Sequence, residues 1–215
     1  MIVVPMVAKN AIDAKEHVLK TEGDAVELRL DAMEKIPSQK EATELFLLKK
    51  TILTNRRFAE GGFHKQAEKK RVNVLLELVQ AKPWAVDVEL KTEESLRKKL
   101  EVAAKAAGVL VIVSFHDFKK TPGKKVLERI VDQALSEGDI AKVVCLPKRE
   151  GDDLHLMELV EKNKGRVVAF GLGDQAAKSR VQSMKNGAPF GFARNGHTTA
   201  PGQMSVQQMR EALSA

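Results

Sequence analysis

One lysine, Lys142, lies in the middle of the apolar, β-branched stretch of residues 140–146. Burial disfavours the charged form of a lysine, and a neutral amine attacks carbonyl carbons to give a Schiff base. Once protonated, that imine withdraws electrons and acidifies the C–H bonds of the neighbouring carbon. The simpler interpretation is a lysine whose stem packs on the strand while its ammonium group reaches water.

A histidine, His116, closes the apolar stretch that precedes this lysine along the chain. Adjacent strands of a sheet are about 4.8 Å apart, so an imidazole at the end of one strand lies close to a lysine on the next. Histidine transfers protons near neutral pH, which suits the removal of a proton beside a carbonyl. The alternative is a structural histidine that is held by hydrogen bonds.

Polar side chains alternate with apolar ones in several other stretches. Because the side chains of a strand alternate between its two faces, each polar set shares one face. The sets are Glu27, Arg29 and Asp31; Thr54 and Arg56; Asp87 and Glu89; Ser114 and His116; and Lys142. Parallel strands are normally covered on both faces, where unpaired charges lose hydration worth several kcal/mol each. An exposed antiparallel face is the alternative, but polar residues near the C-terminal ends of these strands favour the active-site cup of an enzyme.

The elements that position these residues repeat along the chain. Strands are predicted at residues 2–7, 25–30, 51–56, 84–90, 109–115, 140–146, 167–172 and 189–193. Helices between and after them include residues 65–79, 93–106, 124–135, 154–163 and 206–213, the last with Ser205 as its N-cap. This alternation predicts an α/β fold in which residues 1–215 form one (β/α)8 TIM barrel domain, without an evident N-terminal hairpin. An open doubly wound sheet is the competitor, but no glycine-rich phosphate fingerprint follows the first strand.

Composition sets further limits on the kind of protein. The chain has 215 residues, of which 43% are hydrophobic, so it can bury a large core. Its single cysteine, Cys145, excludes an internal disulfide and a CxxC metal site. The N-terminus lacks the basic leader of a signal peptide, and no stretch reaches the roughly 18 apolar residues that span a membrane. We therefore expect a cytoplasmic protein with no membrane partner.

The net charge of +7 raises nucleic acid as a partner. The basic residues are scattered in short clusters beside glutamates, and aromatic residues make up only 4% of the chain, too few for a base-stacking platform. We therefore expect solvated helix faces and no nucleic-acid partner. A basic nucleic-acid-binding protein is kept as the alternative from a different functional class.

Six short motifs, in order along essentially the whole chain, resemble those of the type I 3-dehydroquinate dehydratase family. They are the segments 27–29 (ELR), 54–62 (TNRRFAEGG), 87–90 (DVEL) with 114–117 (SFHD), 139–142 (DIAK), 179–180 (SR) and 199–203 (TAPGQ). Each motif is short, but their order and their places in the eight strand–helix units make the resemblance specific.

The resemblance implies a (β/α)8 barrel that dehydrates the small molecule 3-dehydroquinate to 3-dehydroshikimate, in the shikimate pathway of aromatic amino acid biosynthesis. Lys142 would form the imine, His116 would move the protons, and Glu60 would orient His116. Substrate-binding residues would be Arg180 for the carboxylate and Glu27, Arg29, Arg56, Thr199 and Gln203 for the ring hydroxyls and the loop over the site. No metal or cofactor is implied beyond the covalent imine with Lys142, and a homodimer is common in the family.

The chain also departs from the family pattern. Phe115 stands where a tyrosine or another polar residue is usual, and Thr199 stands where serine is usual. Residues 171–175 differ from the usual methionine- and glycine-bearing turn before the Ser179-Arg180 motif. The nearest alternative function is another Schiff-base barrel enzyme, such as a class I aldolase, in which Lys142 keeps its role but a C–C bond is cleaved.

Overall fold

Eight parallel strands form one sheet in the computed structural model, which describes residues 1–173, 176–195 and 204–215. The strands are β1 (Ile2–Met6), β2 (Ala25–Arg29), β3 (Lys50–Thr54), β4 (Ala85–Glu89), β5 (Leu110–Asp117), β6 (Ile140–Cys145), β7 (Val167–Gly171) and β8 (Gly191–Phe192). The helices that follow them in turn are α1 (Ala11–Lys20), α2 (Gln39–Leu48), α3 (Glu68–Leu78), α4 (Glu94–Ala107), α5 (Lys124–Glu137), α6 (Asp152–Lys162), α7 (Ala176–Lys185) and α8 (Val206–Ser214).

The strands lie in the order β7-β6-β5-β4-β3-β2-β1-β8, so consecutive strands are neighbours and β8 returns to β1. Across the remaining seam, the ring centroids of Phe170 on β7 and Phe192 on β8 are 6.1 Å apart. The sheet is therefore a nearly closed barrel surrounded by helices. This arrangement confirms the predicted (β/α)8 fold.

All eight strands agree with the sequence prediction to within two residues at each end, and the differences in β3 and β8 have a clear physical reason. β3 is predicted to reach residue 56 but ends at Thr54, because the N–H of Arg56 donates to Oδ1 of Asp31 at 3.0 Å. β8 contains two residues, whereas residues 189–193 are predicted. Pro189 has no N–H to donate to a strand ladder, which accounts for the late start of β8.

The polar residues of the strands lie one layer above an apolar floor. One hydrophobic layer fills the space between the sheet and the helices, and a separate one fills the lower part of the lumen. The lumen layer includes Ala25, Ile52, Ala85, Ile112 and Ile140. Two positions further along the same strands, and therefore on the same face, are Glu27, Thr54, Asp87, Ser114 and Lys142, all of them buried.

The last helix begins as predicted from the sequence. The hydroxyl of Ser205 accepts from the N–H of Gln208 at 3.1 Å, and the Gln208 side chain accepts from the N–H of Ser205 at 2.9 Å. This reciprocal cap fixes the start of α8. In the described parts of the chain, no helix combines the length and the apolar character that crossing a bilayer requires.

Candidate active site

A cavity of about 240 Å³ opens at the C-terminal ends of the strands. Its walls are formed by Pro5, Glu27, Arg29, Arg56, Glu60, Gly61, His116, Phe118, Lys142, Val144, Phe170, Leu172, Arg180 and Phe192. Seven of the nine predicted site residues are in this set. The other two, Thr199 and Gln203, lie outside the described residues.

Lys142 is held between two carboxylates, with 4% of its surface exposed. Nζ is 3.0 Å from Oδ2 of Asp87 and 3.2 Å from Oε1 of Glu27, and it lies 4.4 Å from the ring centroid of Phe192. The hydroxyl of Thr54 donates to the same oxygen of Glu27 at 2.9 Å and fixes it from behind. The surroundings of Nζ are therefore acidic as well as buried, because it contacts two carboxylates.

Arg56 lies at the centre of the carboxylates in the lumen. Its Nη1 donates to Oε1 of Glu89 at 2.9 Å and to the hydroxyl of Ser114 at 2.6 Å, and its Nη2 donates to Oδ2 of Asp87 at 2.8 Å. Burial alone would lower the pKa of this guanidinium, but Asp87, Glu89 and Glu27 raise it above its ordinary value. Arg56 is therefore a permanent cation whose first task is to hold these carboxylates in place.

Asp87 connects the arginine to the lysine. Its Oδ2 accepts from both Arg56 and Lys142, and its Oδ1 accepts from the hydroxyl of Ser114 at 2.6 Å. Burial alone would raise the pKa of this carboxyl, but Arg56 and Lys142 hold it well below its ordinary value. Asp87 is thus ionised throughout the neutral range and contributes a fixed negative charge beside Nζ.

His116 and Glu60 form a second group in the same cavity. Oε2 of Glu60 accepts from the backbone N–H of His116 at 2.9 Å and lies 3.2 Å from its Nδ1, which leaves Nε2 outside this contact. Burial lowers the pKa of His116 well below its ordinary value, and the cations Arg56 and Lys142 lower it further. Burial and the charge of Glu89 raise the pKa of Glu60 to about 7. The imidazole is therefore neutral near pH 7.

Arg29 is fixed at the rim of the cavity. Its Nε and Nη2 donate to the two carboxylate oxygens of Asp31 at 2.9 and 2.7 Å, and Nη2 also donates to the carbonyl of Gly61 at 3.0 Å. Burial alone would raise the pKa of Asp31, but its bonds from Arg29 lower it. The polar face predicted for β2 therefore points into the barrel, and Arg29 also supports the loop that carries Glu60.

Arg180 enters the cavity from α7. It is 2% exposed, and its guanidinium carbon lies 4.6 Å from the ring centroid of Phe170. Burial lowers its pKa to about 10, which leaves it positively charged at neutral pH. Arg180 is therefore not a cation on the exposed surface of its helix. A buried arginine in a cavity wall suits the bidentate binding of a carboxylate.

Some residues of the site have no individual role in the sequence prediction. The alternation of polar residues marks Asp87, Glu89 and Ser114 as inward-facing, but it does not show which groups they bind. Phe118 and Phe192 are aromatic walls without any such signal. The ring of Phe118 is stacked on the imidazole of His116, with centroids 6.2 Å apart and an interplanar angle of 13°.

The arrangement joins an amine, a base and cations in one cavity. These groups suit imine formation and the removal of a proton from an anionic carbonyl compound. Within the described residues, no group of three or more histidine, cysteine, aspartate and glutamate side chains is arranged to hold a metal ion. The inward carboxylates are instead paired with Lys142 and Arg56.

Comparison with known proteins agrees with the motifs. The sequence profile of type I 3-dehydroquinase matches residues 2–215. The 3-dehydroquinate dehydratases of Methanocaldococcus jannaschii and Methanococcus vannielii are 32% and 35% identical to this chain, over 98% and 100% of it and 96% and 99% of their own lengths. The crystal structure of 3-dehydroquinate dehydratase from Geobacillus kaustophilus matches with a TM-score of 0.88 at 26% identity, covering 99% of this chain and 89% of that one. The chain therefore belongs to the type I 3-dehydroquinase family, as the six motifs predict.

Proposed function

We propose that this chain is a 3-dehydroquinate dehydratase, a hydro-lyase that converts 3-dehydroquinate to 3-dehydroshikimate and water in the shikimate pathway. The observation that carries the proposal is one shared cavity, in which Lys142 and His116 are accompanied by Arg29 and Arg180. Removal of a proton beside a ketone needs an electron sink and a base, and an anionic substrate needs cations. The cavity contains each of these groups.

The first step is imine formation on Lys142. The ammonium group gives up a proton to Glu27, whose Oε1 lies 3.2 Å from Nζ, while Asp87 stays ionised. Nζ then attacks the ketone carbon, and the same proton passes from Glu27 to the carbinolamine hydroxyl, which leaves as water and gives a protonated imine. The imine restores the positive charge between the same two carboxylates, which stabilise it. The lysine itself is the electron sink, so the reaction needs no diffusible cofactor.

The second step is elimination, with His116 as base and then acid. The neutral imidazole removes a proton from the carbon beside the imine, and the C–H electrons move into the imine to give an enamine. The enamine expels the hydroxyl of the next carbon, which takes a proton from His116 and leaves as water. Hydrolysis of the conjugated imine releases the product and restores Lys142. Glu60, 3.2 Å from Nδ1, orients the ring throughout.

The remaining residues bind and position the substrate. We assign Arg180 to the substrate carboxylate, and Glu27, Arg29 and Arg56 to the ring hydroxyls. Thr199 and Gln203 keep their predicted roles in the loop over the site, although they lie outside the described residues. Cytoplasmic location and a homodimer also stay predictions.

Borohydride reduction tests the imine. The protein is treated with borohydride in the presence of 3-dehydroquinate, and its peptides are mapped by mass spectrometry. We expect a covalent adduct on Lys142, and none in the Lys142→Met variant. An active wild-type protein with unmodified Lys142 would overturn the proposed mechanism.

The His116→Ala variant separates the two steps. Loss of the base should slow turnover by about 10²–10⁴-fold while the adduct on Lys142 still forms. Product is followed through the absorbance of its conjugated enone, which also distinguishes dehydration from the C–C cleavage of an aldolase. Turnover close to wild type in this variant would contradict the assignment of His116.

A further inference from the structure

Among the inward-facing residues described above, the buried carboxylates of the lumen outnumber the buried cations. Three carboxylates, those of Glu27, Asp87 and Glu89, are buried together. Lys142 contacts two of them, and Arg56 lies within ion-pair distance of all three. Two cations leave one negative charge over, and a buried charge without a counter-ion is costly.

The third cation comes from outside the barrel. Arg71 belongs to α3, yet it is 2% exposed, and its Nη1 lies 2.7 Å from Oε2 of Glu89. Nη1 also donates to the carbonyl of Asn55 at 2.7 Å, and Nη2 donates to the hydroxyl of Thr92 at 2.7 Å. These bonds tie the guanidinium to the segments that follow β3 and β4, so its position beside Glu89 is fixed.

Glu89 connects Arg71 to the active site. Its Oε1 accepts from Nη1 of Arg56 and from the backbone N–H of Arg57, both at 2.9 Å. Glu68 also approaches Arg71 at 3.3 Å, but it is partly exposed and has its own cation in Arg57, at 3.3 Å. Arg71 is therefore the counter-ion of Glu89 on the side that faces away from Arg56.

We propose that Arg71 is a positioning residue of the active site, which neutralises Glu89 so that Arg56 stays shared between Glu89 and Asp87. The proposal rests on the function proposed above. Without Arg71, the full charge of Glu89 would draw Arg56 away from Asp87 and would act on Glu60. This charge would change the protonation of Glu60, which is the group that orients His116.

The titration of the Glu60–His116 pair reports this effect. Burial and Glu89 already raise the pKa of Glu60 to about 7, while the pKa of His116 is lowered. The other charged groups that act on the pair are Arg56, Lys91, Lys142, Asp87 and Arg29. Each of them is retained when Arg71 is replaced, so a new titration midpoint traces to the uncompensated charge of Glu89 and to the displacement of Arg56 that this charge causes.

The experiment follows the imidazole Cε1–Hε1 NMR signal of His116 against pH, with the signal identified by its loss in His116→Ala. In Arg71→Met, we expect the pair to titrate about 1 pH unit higher than in the wild type, because an uncompensated negative charge favours protonation. In the double variant Arg71→Met/Glu89→Gln, which removes both charges, the midpoint should return to the wild-type value or fall below it. Arg71→Lys keeps the charge and should give a smaller shift than Arg71→Met.

Arg97→Met is the matched control for the loss of a buried arginine. Arg97 is 7% exposed and pairs with Glu137, which takes no part in the lumen cluster. This variant should lower the melting temperature without moving the titration midpoint of His116. A midpoint in Arg71→Met equal to that of the wild type, or one that stays raised in the double variant, would overturn the proposal.

Turnover gives a second readout. In Arg71→Met, the acidic limb of the pH profile of kcat/KM should move to higher pH by the same number of pH units as the NMR midpoint. The NMR titration does not require catalysis, so the two proposals fail separately. A wild-type protein without dehydratase activity would refute the proposed function, whereas an unshifted titration would refute the role of Arg71.

Discussion

The two reacting side chains sit in opposite electrostatic surroundings. Lys142 contacts two carboxylates, whereas the pKa of His116 is lowered by burial and by two neighbouring cations. The amine therefore lies among carboxylates, and the imidazole is kept as a neutral base at pH 7. A buried histidine in a cavity, with its pKa lowered by its surroundings, is typical of acid–base catalysis. Arg56 contributes to both surroundings, because it holds Asp87 beside Lys142 and lowers the pKa of His116.

Glu60 should make stability depend on pH. Its pKa is raised from 4.5 to about 7 in the folded protein. The protonated side chain therefore adds to the free energy of unfolding below pH 4.5, and this contribution is lost as pH rises through 7. The Glu60→Gln variant lacks this loss. Relative to the wild type, its free energy of unfolding should therefore rise by about 3 kcal/mol between pH 4.5 and pH 7.5, given 1.36 kcal/mol per pKa unit.

Urea unfolding at the two pH values measures this difference. Glu22→Gln, a change at an exposed glutamate, is the control and should alter stability equally at both. A stability difference between Glu60→Gln and wild type that does not vary with pH would show that Glu60 titrates normally in the folded protein.

At the scale of elements, the segment after β3 organises most of the site. It carries Arg56 into the lumen and then makes a short 3-10 turn that ends with Glu60. Gly61 follows with φ of +88°, a left-handed conformation that glycine adopts without strain. Its carbonyl accepts from Arg29, and it lies against Phe118, which covers His116. This turn thus positions Glu60, which orients His116, and Phe118, which is stacked on the imidazole.

The Gly61→Ala variant tests this turn. A Cβ at this position would lie 2.9 Å from Cζ of Phe118, and the left-handed backbone adds strain of about 1–2 kcal/mol. We expect a loss of stability of about that size in urea unfolding, and slower turnover because Phe118 is pushed from the imidazole. Gly108→Ala is the matched control, because Gly108 has φ of +72° but no atom within 4 Å of its added Cβ. It should lose stability while turnover is kept; equal turnover in both variants would exclude a role for the Phe118 contact.

At the scale of the whole molecule, the positive charge lies on the surface. Among the described residues, the buried side chains include six carboxylates and five lysines or arginines, so burial does not account for the net charge of +7. Among the described residues, three surface lysines are paired with glutamates one helical turn away, in Lys20–Glu16, Lys98–Glu94 and Lys105–Glu101. The basic residues are therefore dispersed among acidic ones rather than gathered into a binding stripe.

We expect no tight binding of nucleic acid at physiological salt. A labelled oligonucleotide should show no rise in fluorescence anisotropy with this protein at about 150 mM salt. The same measurement at low salt is the control for weak, non-specific attraction by the net charge. Affinity that persists at moderate salt and falls steeply as salt increases would revive the alternative of a nucleic-acid-binding protein.

The sequence by itself determined the fold class, the order of the eight units, the inward polar face and the family. These features follow from local periodicity and short motifs, which do not depend on how distant segments meet. Only the tertiary structure decided which side chains contact one another in the site. Closure of the barrel brings Lys142 against Glu27, which lies 115 positions earlier in the chain. The same closure buries Arg180 and lets Arg71 reach Glu89 from a helix of the outer ring. Such contacts depend on the register and curvature of the whole sheet, which no single stretch of sequence encodes.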